Sequence, residues 1–307
     1  MRIRSRGIGF LTVSAALVVT IASCGSSSSS SSSDAGTGAH SSAPFFNDLP
    51  PSIQKAGVLT VGTSAAFPPY DYNTAGSSTV IGFEPDLDKA MTALLGVKLR
   101  LVVVGFPELI PGVQDKRFDV AVDGISDTRA RQKVVNFVDY ADAGQVILAP
   151  TAKADGVTNL LDICGHSLAY AVGTFGQQIA NDVAALCAKA HKPLPSQTAF
   201  PDAPSIQLAI ESGRISYELE STATAGYDAK ASKGRISAIA VPSSQATGDF
   251  ASSLEGVVVP KGVPQLAEAI RDALTRMLQD GTYLSILKTW GVQGLAVKEI
   301  TYDTPSF

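Results

Sequence analysis

The chain has 307 residues, 45% of them hydrophobic, with 24 basic and 28 acidic side chains and three histidines. That length suggests about two domains, each with its own core, and the acidic balance excludes nucleic acid as a partner, because phosphate binding needs clustered Lys and Arg. His40, His166 and His191 lie far apart without ligand spacing, so neither a metal nor another cofactor is expected.

The first residues read as a leader. Arg2, Arg4 and Arg6 form a basic region, residues 8–21 are almost wholly apolar, and the run ends in Ile21-Ala-Ser-Cys24. Such a run is too short to span a bilayer as a mature helix, which makes residues 1–23 a secretory signal peptide. Ile-Ala-Ser-Cys resembles the bacterial lipobox, in which the cysteine is lipidated and becomes the first mature residue. Residues 26–33 are all serine, and the composition stays small and polar to Ser42. A segment of this kind cannot bury enough apolar surface to fold and behaves as a flexible linker. Residues 24–51 are therefore expected to be a lipidated cysteine, Cys24, and its tether, placing the protein on the extracytoplasmic face of the cell membrane.

Loss of the three leader arginines leaves 21 basic against 28 acidic side chains, a net charge of −7. Cys164 and Cys187 remain in the exported body. In an oxidising compartment such a pair reads as a disulfide rather than a metal or redox site.

After the tether, residues 57–63 are a short buried strand that opens into Ser64-Ala-Ala-Phe-Pro-Pro-Tyr70. The two prolines cannot continue a strand, so a fixed loop is expected there, with Phe67, Tyr70 and Tyr72 either lining a pocket or packing the core. Residues 82–96 carry the clearest helix signal. Pro85 suits the first helical position, Asp86 and Asp88 complement the positive end of the dipole, and Leu87, Met91, Leu94 and Leu95 share a face ended by Gly96. A strand at 99–104, a helical stretch at 107–116 and a strand at 119–122 follow. Strand, helix, strand, helix, strand implies a parallel sheet with right-handed crossovers.

The strand at 119–122 breaks at Gly124, offers hydroxyls at Ser126 and Thr128, and leads to Arg129 and Arg131. A guanidinium is a planar fork of donors matched to two carboxylate oxygens, and hydroxyl and backbone N–H groups can complete the shell. A second set of elements begins near Gln145. The strand at 167–172 runs into Gly173-Thr-Phe-Gly176 and a helix with Ile179, Val183 and Leu186 on one face. Small residues at that junction either leave N–H groups free for an anion or only satisfy a tight turn, and no Gly-Lys-Ser/Thr follows to make a phosphate loop.

A helix at 206–211 and a strand at 217–219 lead to Glu218-Leu-Glu-Ser-Thr222. Strand alternation puts Glu218 and Glu220 on one face and Leu219 and Ser221 on the other. Strands at 236–241 and 254–259 and helices at 264–281 and 282–290 complete the chain. Leu266, Ile270, Leu274 and Met277 in the first of these helices follow core spacing.

Several of these stretches together resemble the family 3 extracellular solute-binding proteins, the substrate receptors of polar amino-acid ABC importers. Gly82-Phe-Glu-Pro-Asp-Leu-Asp-Lys-Ala resembles the family signature, with Pro85 in place of the usual aliphatic residue. Thr128-Arg-Ala-Arg131 followed by Val135-Asn-Phe137 resembles its Thr-x-x-Arg-x-x-x-Val-Asp-Phe segment, and Val258-Val-Pro-Lys-Gly262, Gly281-Thr-Tyr283 and Lys288-Thr-Trp290 resemble its C-terminal pattern. The resemblance covers roughly residues 52–292.

It implies a two-lobe α/β fold of the periplasmic-binding type II class with a two-stranded hinge, residues 52–143 and 254–307 forming one lobe and 144–253 the other. It implies a monomer that binds a small carboxylate-bearing solute, a polar amino acid above all, and passes it to an ABC importer permease. Arg131 would clamp the ligand carboxylate, helped by Ser126 and the backbone at Gly124. Phe67 and Phe106 would flank the ligand, and Gly173, Thr174 and Phe175 would add backbone donors from the second lobe. Cys164 and Cys187 resemble a cysteine pair of actinobacterial members.

The departures are specific. The aspartate that usually holds the ligand ammonium is Ser221 here, and an acid often found in the first loop is Ser64. A buried ammonium without a partner is costly, so Glu220 first, then Glu218 or Asp123, is expected to replace the missing acid. Two other readings stay open: a dehydratase-type enzyme acting on a cyclic acid through a cleft Glu as general acid, and a ligand-sensing lobe that signals through a partner.

Overall fold

The computed structural model describes residues 41–305, except 75, 246 and 247. The leader, Cys24 and most of the tether lie outside the described residues. The described chain forms two mixed sheets, each covered by helices on both faces, and a small three-stranded meander.

The first sheet has six strands in the order Ala296–Tyr302, Val135–Asp142, Leu254–Pro260, Val120–Ala121, Val58–Thr63 and Lys98–Val103. The expected parallel arrangement holds for the last three, with Val61 beside both Leu101 and Val120. The remaining pairings are antiparallel, because Leu254–Pro260 and Ala296–Tyr302, contributed by the returning chain, run in the opposite direction on either side of Val135–Asp142.

One face of this sheet packs against the helices Phe83–Leu94, Pro264–Asp280 and Thr282–Trp290 around Leu87, Met91, Ile270, Leu274 and Tyr283. The other face holds Leu109, Val113 and Phe118 under the helix Leu109–Gln114. Phe118 fits there only because Gly62 and Gly112 carry no side chain: a Cβ at either would come within 2.4 Å or 2.3 Å of its ring.

The helix that begins at Phe83 differs from expectation at its start. Pro85 is its third residue, and Gly82 precedes it at φ +145°, where a Cβ would lie 1.9 Å from the Tyr70 carbonyl oxygen. Asp88 is buried rather than placed at the solvated end of a dipole. Tertiary packing also reaches further towards the N-terminus than a tether ending at residue 51 allows. Phe46 and Leu49 are buried on the first core, and the Phe45 N–H donates to the Leu94 carbonyl.

The second sheet has the order Ser196–Phe200, Ser167–Ala171, Tyr217–Ser221, Gln145–Pro150 and Ile236–Ala240, parallel among the first three and antiparallel in the rest. The helix Gly176–Lys189 sits on one face with Ile179 and Val183 in the core, and Ala203–Glu211 and Thr222–Ala231 sit on the other. The expected pairing of Cys164 with Cys187 is present, with Cα atoms 5.7 Å apart, and ties the end of that helix to the loop before Ser167.

The chain passes between the sheets at residues 143–144 and 251–253. Those crossings are paired, Ala143 and Ser253 exchanging N–H···O bonds of 3.0 and 2.9 Å. The result is the expected two-lobe α/β fold with a two-stranded hinge.

Candidate functional site

The parallel strands of both sheets end at one cleft of about 420 Å³. Ser64 follows the strand Val58–Thr63, Phe106 follows Lys98–Val103, and Gly124 and Ser126 follow Val120–Ala121. On the opposite wall Thr174 and Phe175 follow Ser167–Ala171, Asp202 follows Ser196–Phe200, and Glu218 to Ser221 close Tyr217–Ser221. Ligand sites in such sheets form beyond the carboxyl ends of the strands, where loops diverge.

Arg131 lies in the short helix Arg129–Gln132, which Thr128 caps by accepting the Arg131 N–H at 3.2 Å. Its side chain turns into the cleft, donating from Nη1 to the Ser126 carbonyl at 2.8 Å and from Nη2 to the Gly173 carbonyl at 3.1 Å. The guanidinium also lies over the Phe106 ring, 5.8 Å from its centroid. Burial lowers its pKa to about 10, so it stays charged at neutral pH. Gly173 thus contributes an acceptor to Arg131 from the second lobe, in addition to the N–H donor expected of it. It does so at φ +79°, pressed against Pro107.

Of the three aromatics left open, Phe67 lines the cleft and stacks at 4.7 Å on Tyr70, which is fully buried. Tyr72 packs away from the cleft, against Tyr227 and Trp290.

The acids divide by their partners. Asp123 is fully buried and takes the Ser64 N–H at 2.7 Å and the Thr63 hydroxyl at 3.3 Å. It holds a loop and does not line the cleft, which removes it as a partner for the ligand ammonium. Ser221 caps the helix Thr222–Ala231 by accepting the Thr224 N–H at 3.3 Å, so its hydroxyl oxygen is engaged.

Glu220 faces the cleft with Oε1 on the Ser221 N–H at 2.6 Å, and burial pushes its carboxyl up to about 8. Glu218 lines the same cleft. Alternation along this strand does not confine the cleft to one of its faces. All four residues from 218 to 221 line it, because the cleft caps the end of the strand.

Beneath the cleft, Glu84 of the signature helix accepts the Gly124 N–H at 2.8 Å and the Tyr140 hydroxyl, and Asp71 is buried beside Glu84 and Asp123. Burial, then the charge of Asp123, raises Glu84 to about 8. These carboxyls fix the loops that carry Ser64 and Gly124.

Two acids on the cleft wall were not anticipated. Glu255 is turned inward beside the β-bulge between Glu255 and Gly256, a device that re-aims a side chain. Asp202 caps the helix Ala203–Glu211. Each left a trace in the sequence: an acid within the apolar run 254–259, and Asp202-Ala-Pro204 as a cap followed by an early proline.

A hinged cleft with one arginine, flanking aromatic rings and acids on the opposite wall has groups of both charge signs to offer a small solute. Residues 59–293 match the model of the bacterial extracellular solute-binding proteins, family 3, and the chain belongs to that family. It is 25% identical over 261 residues to the arginine-binding protein ArgT of Corynebacterium glutamicum, across 84% of this chain and 82% of that one. Among solved structures it resembles an ancestral arginine-binding protein bound to arginine, with a TM-score of 0.67 and 28% identity over 76% of this chain and 98% of the other. A cyclohexadienyl dehydratase of Pseudomonas aeruginosa is 35% identical, but over 85 residues, 28% of this chain and 31% of that one.

Proposed function

We propose that the protein is a lipid-anchored extracytoplasmic receptor that captures an amino acid and delivers it to an ABC importer permease. The observation that carries this reading is the charge layout of the cleft. Among the described residues Arg131 is the one cation that lines the cleft, which it shares with Glu218, Glu220 and Asp202 of the opposite wall and Glu255 of its own side. Arg131 has donors to spare after serving two carbonyls and takes the ligand carboxylate, with Ser126, the Gly124 backbone and Ser64 beside it. Glu220 takes the α-ammonium in place of the engaged Ser221. Phe67, Phe106, Thr174 and Phe175 cover the ligand once the lobe of residues 144–253 closes on that of 52–143 and 254–307.

The cost of desolvating both ligand charges is offset only if each meets a partner, which ties affinity to closure. Cys24 and the serine-rich segment after it would tether the receptor to the membrane.

Calorimetric titration of the purified protein with a panel of amino acids, organic acids and polyamines tests the reading. Amino-acid binding at micromolar affinity, about 8 kcal/mol, supports it, and silence across the panel from folded protein overturns it. Glu220, largely protonated at neutral pH, also has the form of a general acid. A dehydratase would therefore convert a prephenate-type substrate in a Glu220-dependent way, whereas a receptor leaves it unchanged.

A further inference from the structure

An α-amino acid brings one ammonium, and Glu220 is enough for it, yet the cleft wall holds a second acid with no partner. Glu218 lies two residues earlier on the same strand face, is 4% exposed, and neither accepts a hydrogen bond nor pairs with a cation among the described residues. Buried carboxyls are normally paired or hydrogen-bonded, so the site is short of positive charge.

The surroundings do not supply that charge. Glu220 shares the strand, and Asp228 faces it from the helix Thr222–Ala231, with Glu211 beyond, held by Arg235 at 2.8 Å. Glu255 and Asp202 line the cleft from neighbouring elements, and the adjacent strands bring the uncharged Gln145 and Tyr170. The helix Gly176–Lys189 lays apolar Ile179, Ala180 and Val183 on the strand, and Arg131 is engaged with Ser126 and Gly173.

We propose that Glu218 and Glu220 form a two-cation subsite that takes the α-ammonium and a charged side-chain terminus of one ligand, each cation displacing a carboxyl proton to solvent. The proposal rests on the amino-acid reading above and narrows it to amino acids with a cationic side chain. Residues two apart on a strand are spaced by about 6.6 Å, a distance that the two nitrogens of an α-amino acid with three or four side-chain methylenes can span. Without ligand, burial and the charges of Glu220 and Asp228 raise Glu218 well above the usual range, and Glu220 stands at about 8. Burial thus favours the protonated acids, and an arriving cation favours their ionised form.

The test is calorimetry of the full protein with L-lysine, L-ornithine and L-norleucine, run at neutral pH in phosphate and in Tris, whose ionisation enthalpies differ. Lysine and ornithine should bind about 10- to 150-fold tighter than norleucine, the range of one charge-assisted hydrogen bond. Their apparent enthalpy should shift between buffers as release of at least one proton requires. Glu218→Gln, which imitates the protonated acid in shape, should cut the lysine-to-norleucine ratio at least about tenfold, the low end of that range.

Norleucine binding as tightly as lysine, or an enthalpy independent of buffer, overturns this inference and leaves the amino-acid receptor standing. Silence from all three and from the wider panel overturns both. The buffer comparison on the unmodified protein decides the matter even if the variant fails to fold.

Discussion

Replacing Arg131 by alanine is the most direct test of the site. The guanidinium has five N–H donors; one serves the Ser126 carbonyl at 2.8 Å and one the Gly173 carbonyl at 3.1 Å. Three remain, enough for a bidentate grip on a carboxylate. Two charge-assisted bonds at about 1.5–3 kcal/mol each amount to about 3–6 kcal/mol, a loss of about 10²- to 10⁴-fold in affinity. The fold should survive, because Arg131 sits on a short surface helix and its loss removes cleft charge, not core volume. Two carbonyls would lose a donor and Phe106 its cation, a stability cost of about 1–3 kcal/mol. Arg131→Lys, which keeps the charge without the fork, should fall between. Calorimetric titration with the best ligand of the panel, alongside thermal unfolding, reads both effects. Binding by folded Arg131→Ala within about tenfold of the parent, or 1.4 kcal/mol, would refute the clamp.

Three further outcomes concern stability. The Cys164–Cys187 bridge closes a loop of sequence separation 23, for which the chain-entropy model gives about 3 kcal/mol. Cys164→Ala should lower urea stability by about that amount, and detection of two free thiols in the native protein would remove the basis for it. Gly82→Ala places a methyl against the Tyr70 carbonyl at a φ that side chains avoid. It should cost more than about 3 kcal/mol and deplete soluble protein, whereas a stability change under about 1 kcal/mol on this scale would contradict the packing. Glu84, raised to about 8 in the folded state, binds its proton more tightly folded than unfolded. Its contribution is fully present below the unfolded pKa near 4.3 and is lost as pH rises through about 8. Stability should therefore decline across that window by up to about 1.4 kcal/mol per pH unit. Glu84→Gln should flatten the decline, and an unchanged slope in urea titrations at several pH values would refute the assignment.

The readability of the chain varied with the range of the forces involved. The helices Pro264–Asp280 and Thr282–Trp290 and the strand Val58–Thr63 agree with their patterns because each buries one face locally. The edge strand Ala296–Tyr302 and the helix Thr222–Ala231 were not anticipated. The first is polar on much of its length and gains its partner, Val135–Asp142, only in the fold. The second is built mostly of small residues and threonine, without a pronounced apolar stripe, and starts at the Ser221 cap. Within the site, Arg131, Ser126, Gly124, Ser64, Phe67, Phe106, Thr174, Phe175, Glu220 and Ser221 do converge on one cleft. Gly173 stands just behind it as an acceptor. Glu255 escaped notice because a β-bulge, which has no signal of its own in the sequence, decides where it points.

By itself the sequence determined the order of elements, the signature segments, the position of Arg131 before Val135-Asn-Phe137, and a cysteine pair with few alternatives. Those depend on local pattern and spacing, which the chain carries in one dimension. Only the tertiary structure decided which acid is available to a ligand. Asp123, Ser221 and Glu220 are equally polar on paper, but Asp123 is engaged by a loop 59 residues earlier and Ser221 by its helix cap. Glu220 and Glu218 are left facing the cleft. Availability is set by partners that folding brings from elsewhere in the chain, and that is why the half of the site facing Arg131 became legible only in three dimensions.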